Sequence, residues 1–172
     1  MEDKSKLTAI ILVIITVIVV TSSFIINLIN KNEKKNDINI VTNYSNFYTV
    51  NSCLYRLLTY ISTNDTESLI LVLDSKYKKQ NNINKSNVMN FFQNVGSDST
   101  FVSKKMYYQN INDNITKYYV YGVIEKNEFS EEYSIDNSET KDAYFIVYLD
   151  SNNKTFSVEP SSLDIFKSVG DE

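Results

Sequence analysis

Tyr118, Tyr119, Tyr121, Tyr144 and Tyr148 are five of the thirteen tyrosines in this chain, and they fall in two short clusters. A phenol beside a carboxylate can hold or pass a proton, so a Tyr–Asp pair is one proton-transfer arrangement open to such a chain. No convergent set of residues can be named for it. The chain has no His, which removes an imidazole base, a His-relayed nucleophile and a His metal ligand. The one Cys, Cys53, excludes an intrachain disulfide and a Cys-pair zinc site. Cys53 follows Val50-Asn51-Ser52 far beyond the N-terminal apolar run, a poor match to a lipoprotein cysteine. It falls within a helical pattern and reads as a small core residue. No catalytic residue, cofactor or metal ligand is therefore nominated. The five tyrosines are assigned instead to a ligand or partner surface, because aromatic side chains are the usual substance of such patches.

The elements that must position these tyrosines are strands. Phe101 to Tyr108, Tyr118 to Glu125, Ala143 to Asp150 and Thr155 to Glu159 read as four strands, the last ending at Pro160. Asn112-Asp113-Asn114 and Asp150-Ser151-Asn152-Asn153 supply turn chemistry between them. Strands two and three are apolar on both faces: Tyr119, Tyr121 and Val123 against Tyr118, Val120 and Ile124, then Phe145, Val147 and Leu149 against Tyr144, Ile146 and Tyr148. A sheet with helices on one side needs only one apolar face. The second face must meet the tail near Leu163, Ile165 and Phe166, another copy of the chain, or a partner. Gly122 in mid-strand predicts a bulge or bend, hence a curved sheet.

Helices precede the strands. Phe47, Val50, Leu54, Leu57, Leu58 and Ile61 recur at spacings of three and four and form one apolar stripe, with Asn43 or Ser45 as its cap. Thr63-Asn64-Asp65 breaks the pattern and can cap a short second helix through Leu69, Leu71, Val72 and Leu73. A third is expected after Ser86 or Asn87, carrying Val88, Met89, Phe91, Phe92 and Val95 and ending at Gly96. Lys76, Lys78, Lys79 and Lys85 read as a solvated loop.

Ahead of all this, Leu7 to Ile29 is an uncharged, predominantly apolar run, and a bilayer core needs about 20 helical residues. A secretory signal would have a shorter core and a small-residue cleavage site. Thr21-Ser22-Ser23 offers such a site, but Phe24-Ile25-Ile26 and Leu28-Ile29 resume the run beyond it. The expectation is an uncleaved anchor that contacts membrane lipid. Residues 1–6 form a cytoplasmic tail, 7–29 a transmembrane helix, 30–42 a linker, 43–167 one α+β domain and 168–172 a tail. Lys4 and Lys6 lie before the run and Lys31, Lys34 and Lys35 after it, so the positive-inside rule alone does not fix the orientation. A short tail ahead of a long span favours an extracytoplasmic domain in a single-pass membrane protein.

From residue 36 onward the chain holds 12 basic and 18 acidic residues, which argues against nucleic acid as a partner. Only one Arg is present, beside abundant Asn, Lys, Ile and Tyr; this composition suggests a bacterium, and it accounts for glycosylation-like triplets such as that at Asn43. The acidic stretch from Glu125 through Glu128, Glu131, Glu132, Asp136 and Glu139 to Asp142 does not match a calcium-loop motif and reads as a solvated hairpin.

Three helices followed by four antiparallel strands, with a long first helix and a bent sheet, resemble the cone-shaped fold of the nuclear transport factor 2-like superfamily over about residues 43–160. With the N-terminal span, the architecture is similar to the bitopic assembly subunits of type IV secretion and conjugation machines. The resemblance implies an envelope protein that acts by self-association or by binding other envelope proteins. The alternative it implies is a small-ligand or lipid-binding cone, with Tyr107, Tyr108, Tyr119, Tyr121 and Tyr144 around the pocket. Fold alone does not decide between them.

Overall fold

The computed structural model describes residues 37–93, 95, 99–126 and 140–170. The expected span at 7–29 lies outside the described residues, and among these no helix is long and apolar enough to cross a membrane.

Among the described residues the architecture is α+β, with one antiparallel sheet of five strands rather than four. In chain order the elements are β1 (Ile38–Ile40), α1 (Tyr44–Ser62), α2 (Thr66–Val72), α3 (Ser75–Gln80), a 3-10 turn (Val88–Phe92), β2 (Ser99–Asn110), β3 (Ile115–Lys126), β4 (Thr140–Asp150), β5 (Thr155–Pro160) and α4 (Leu163–Gly170). Neighbours in the sheet follow the chain, β1-β2-β3-β4-β5. The additional strand, β1, lies inside the range read as a linker. Three residues, Ile38-Asn39-Ile40, pair with Gln109, Tyr108 and Tyr107. A segment so short has no period-two signature of its own, and only the edge of β2 makes it a strand.

The helices form where their caps and apolar spacing allow. The side chain of Asn43 accepts a hydrogen bond from the Ser45 amide at 2.8 Å and starts α1. The face of α1 carrying Val50, Cys53, Leu54, Leu57, Leu58 and Ile61 is buried. Asp65 accepts from the Ser68 amide and caps α2. Asp74 accepts from the amides of Lys76 and Tyr77 and caps α3. The stretch containing Lys76, Lys78 and Lys79 is thus a short helix and not a loop. Its sequence, Ser-Lys-Tyr-Lys-Lys-Gln, has no apolar stripe, so the cap is the only local signal. The third expected helix is reduced to the 3-10 turn, in which Val88 and Phe92 are buried.

One face of the sheet packs on these helices. Met106, Tyr118, Val120, Phe145, Val147 and Val158 meet the buried residues of α1 and α2 in the main core. Cys53 belongs to this core, and burial pushes its thiol up to about 11, which leaves little thiolate at neutral pH. Leu73 forms a parallel bridge to Val158, and the Asp74 amide donates to the Val158 carbonyl at 2.9 Å. The helical segment is thereby fastened to the outer edge of β5.

The bend expected at Gly122 has a clear cause. The register of β2 against β3 shifts between Ser103 and Lys105, and Gly122 lies opposite Ser103. A β-bulge of this kind bends the bulged strand and increases its twist. The Phe101 ring lies over Gly122, where a Cβ would come within 2.5 Å of it.

Candidate functional site

The second face of the sheet is the candidate interaction surface. Adjacent residues of a strand point to opposite faces, so Tyr118 and Tyr119 cannot share one. Tyr118 points to the helices. It is 5% exposed, and its ring lies 6.2 Å from that of Tyr108. It is a core residue and not part of the second face. Tyr119, Tyr121, Tyr144 and Tyr148 do share that face, joined by Tyr107 and Ile146.

The register brings the tyrosines together. Tyr121 lies directly opposite Tyr144, and their rings stack at 5.2 Å with an interplanar angle of 20°. Phe166 of α4 sits against both, at 5.8 Å from each ring centroid, and at 5.4 Å from Tyr107. The Tyr107 hydroxyl donates to the carbonyl of Gly170 at 3.0 Å. Of the three covers open to this face, the C-terminal segment supplies one. It does so as a helix, α4, reaching Gly170 and resting on the sheet through Phe166 and Val169. Ile38 and Ile40 belong to the same face by their pairing with Gln109 and Tyr107, and both remain exposed.

Polar groups fix the rings in place. The Tyr119 hydroxyl donates to Gln109 Oε1 at 3.3 Å, and the Lys117 ammonium lies 4.5 Å from the Tyr119 ring centroid and 5.6 Å from that of Tyr148. Tyr121 donates to Asp142 Oδ1 at 3.1 Å, and Tyr148 to Glu159 Oε1 at 3.1 Å. These are the tyrosine–carboxylate pairs that proton transfer would require, but their electrostatics run the other way. The hydrogen bond to Asp142 pushes the Tyr121 phenol up, and burial with the Glu159 charge pushes Tyr148 up further. Both phenols are held neutral, as anchors for the rings and not as ready acids. Glu159, Asp142 and Lys117 were not readable as partners in the sequence. Glu159 meets Tyr148 diagonally across β4 and β5, and that contact depends on the register of the pair.

Burial pushes Glu159 above the ordinary carboxylate range, with the hydrogen bond from Tyr148 opposing the shift. A raised carboxyl pKa means that the folded state favours the protonated form, so the stability it contributes is fully present below the unfolded value and is lost as pH rises through the folded value. Glu159→Gln keeps an acceptor for Tyr148 and is expected to stabilise the fold at neutral pH by under about 1 kcal/mol, since water screens this partly exposed group. Urea denaturation at pH 7 and near pH 4.5 checks this. The advantage should shrink at the lower pH, and a larger advantage there would contradict it.

A shallow hollow of about 260 Å³ lies at one end of this face, lined by Asp74, Ile115, Tyr148, Asp150, Thr155, Phe156 and Ser157. Of the assigned tyrosines it includes only Tyr148. Its carboxylates are already engaged, Asp74 in capping α3 and Asp150 in accepting from Asn152 and Asn153 in the β4–β5 turn. Among the described residues no group of three or more His, Cys, Asp or Glu could hold a metal ion. Of the acidic stretch, 127–139 lies outside the described residues.

Comparison with protein-family models, curated proteins and solved structures finds no match for this chain.

Proposed function

We propose that the chain is a single-pass, membrane-anchored protein whose α+β domain lies outside the cytoplasm and works by protein–protein contact in a cell-envelope assembly. The observation that carries this reading is the second face of the sheet. Half-buried Tyr121, Tyr144 and Tyr148 line it beside the buried Tyr107 and Tyr119, an eight-residue helix covers it in part, and Ile38 and Ile40 stay exposed at its edge. Rigid aromatic side chains of this kind offer large contact area at small entropic cost, which suits partner recognition. The uncharged run Leu7–Ile29 supports the anchor. Helices ahead of a bent antiparallel sheet support the nuclear transport factor 2-like reading, and with it the similarity to bitopic assembly subunits. The hollow beside Tyr148 supports a small ligand less well, because its two carboxylates are engaged, Asp74 in a helix cap and Asp150 in the β4–β5 turn.

The test is a photo-cross-linking amino acid placed at Tyr144 in the full-length chain, irradiated in intact cells. The expected result is one or two discrete adducts, either to another envelope protein or to a second copy. A chain present at normal level that forms no discrete adduct from Tyr144, nor from Ile40, would overturn the reading.

A further inference from the structure

Large exposed hydrophobic residues occur along the described residues, among them Tyr55, Leu71, Phe91, Ile111, Leu163 and Ile165. Ile38, Ile40, Tyr44 and Tyr48 are exposed as well and lie close in sequence near the first described residues, the isoleucines on the second face of the sheet and the tyrosines on α1. Tyr44 and Tyr48 are 80% and 63% exposed. They are one helical turn apart on α1, on the side away from its buried stripe, and their rings stack at 6.4 Å. Packing within the domain does not account for two stacked tyrosines held out in water.

Their place in the chain does. The apolar run ends at Ile29, and β1 begins at Ile38. Residues 30–37 reach at most about 27 Å when fully extended. Tyrosine is enriched at membrane–water interfaces, where the ring meets the acyl boundary and the hydroxyl meets the head groups. Lys31, Lys34 and Lys35 occupy the connecting stretch, and lysine suits the same zone. The domain itself is acidic, so general charge attraction would not draw it to an anionic surface.

We infer that the start of α1, through Tyr44 and Tyr48, seats the domain on the lipid interface. The inference rests on the anchor reading above. It adds that the tether does not leave the domain free to tumble: one side of α1 faces lipid, and the aromatic sheet face is presented in a fixed direction.

The chain contains no Trp, so a single substitution makes a clean reporter. Tyr48→Trp is introduced into the full-length chain, with Leu71→Trp as the reference, because Leu71 is 78% exposed on α2. Each chain is reconstituted into vesicles of phosphatidylcholine and phosphatidylglycerol, with and without brominated acyl chains. The expected result is blue-shifted emission from the Tyr48→Trp chain and at least about twofold stronger quenching by brominated lipid than in the Leu71→Trp chain. Equal or absent quenching in chains that still float with the vesicles would overturn the lipid seat and leave the anchor standing. Chains that fail to float would overturn both. A cross-link from Tyr48 to a protein in cells, with no quenching in vesicles, would also overturn the inference and assign the pair to a protein partner.

Discussion

Gly122→Ala is expected to destabilise the domain by about 3 kcal/mol, the upper end of the usual range for overpacking. The reason is space and not backbone conformation, since among the described residues no glycine has a positive φ. A Cβ at Gly122 would lie 2.4 Å from the carbonyl oxygen of Val102 and 2.5 Å from the ring of Phe101. The carbonyl is fixed by its strand, and the ring is held edge-on against Phe145 at 5.4 Å. Neither can give way without disturbing the bulge between Ser103 and Lys105. Thermal denaturation should show a fall in Tm of roughly 10 °C for a domain of this size. In a Phe101→Ala background, where one of the two obstacles is gone, Gly122→Ala should cost less than it does in the parent chain. A fall in Tm of less than about 2 °C would show that the strands yield more easily than the geometry implies.

Phe166→Ala is expected to release α4 while leaving the sheet folded. Phe166 touches three rings, those of Tyr107, Tyr121 and Tyr144, and α4 has no fully buried residue to take over its role. Losing a half-buried phenyl ring costs about 2 kcal/mol, which shifts the docked-to-undocked ratio by roughly thirtyfold. The main core lies on the other face of the sheet, so global denaturation should change little. Trypsin cleavage after Lys167, in the last turn of α4, should accelerate by about tenfold or more, because proteolysis follows the open population. The near-ultraviolet signal of the stacked tyrosines should weaken with it. Unchanged cleavage would mean that Val169 and the Tyr107–Gly170 hydrogen bond suffice to hold the helix.

The parts of the fold legible in the sequence were those with a strong local signature. The stripe from Val50 to Ile61 marked α1, the two-sided apolar runs marked β3 and β4, and Gly122 marked the bend. β1 and α3 were not legible. Three residues cannot show a period, and α3 is a polar turn set by one capping aspartate. The 3-10 turn looked like a helix because Val88 and Phe92 have helical spacing, which a single tight turn also satisfies. For the candidate site, period two alone separates Tyr118 from Tyr119, yet naming the inward one requires knowing which face the helices cover. The Tyr121–Tyr144 stack and the Tyr148–Glu159 bond depend on strand register, which lies outside any one segment.

The sequence separation of the sheet partners has a consequence for the order of assembly. The turns at 111–114 and 151–154 join β2 to β3 and β4 to β5 directly, so those pairs close short loops. β1 reaches β2 only across α1, α2, α3 and the 3-10 turn, and closing so long a loop for three residues of pairing gives little return. β1 should therefore dock last in folding and exchange its amide hydrogens first in the native state. It is also the first element among the described residues. A pull transmitted along the chain from its N-terminal side would load β1 before any other strand, and would strip it from Tyr107–Gln109 while the helices and the four longer strands held.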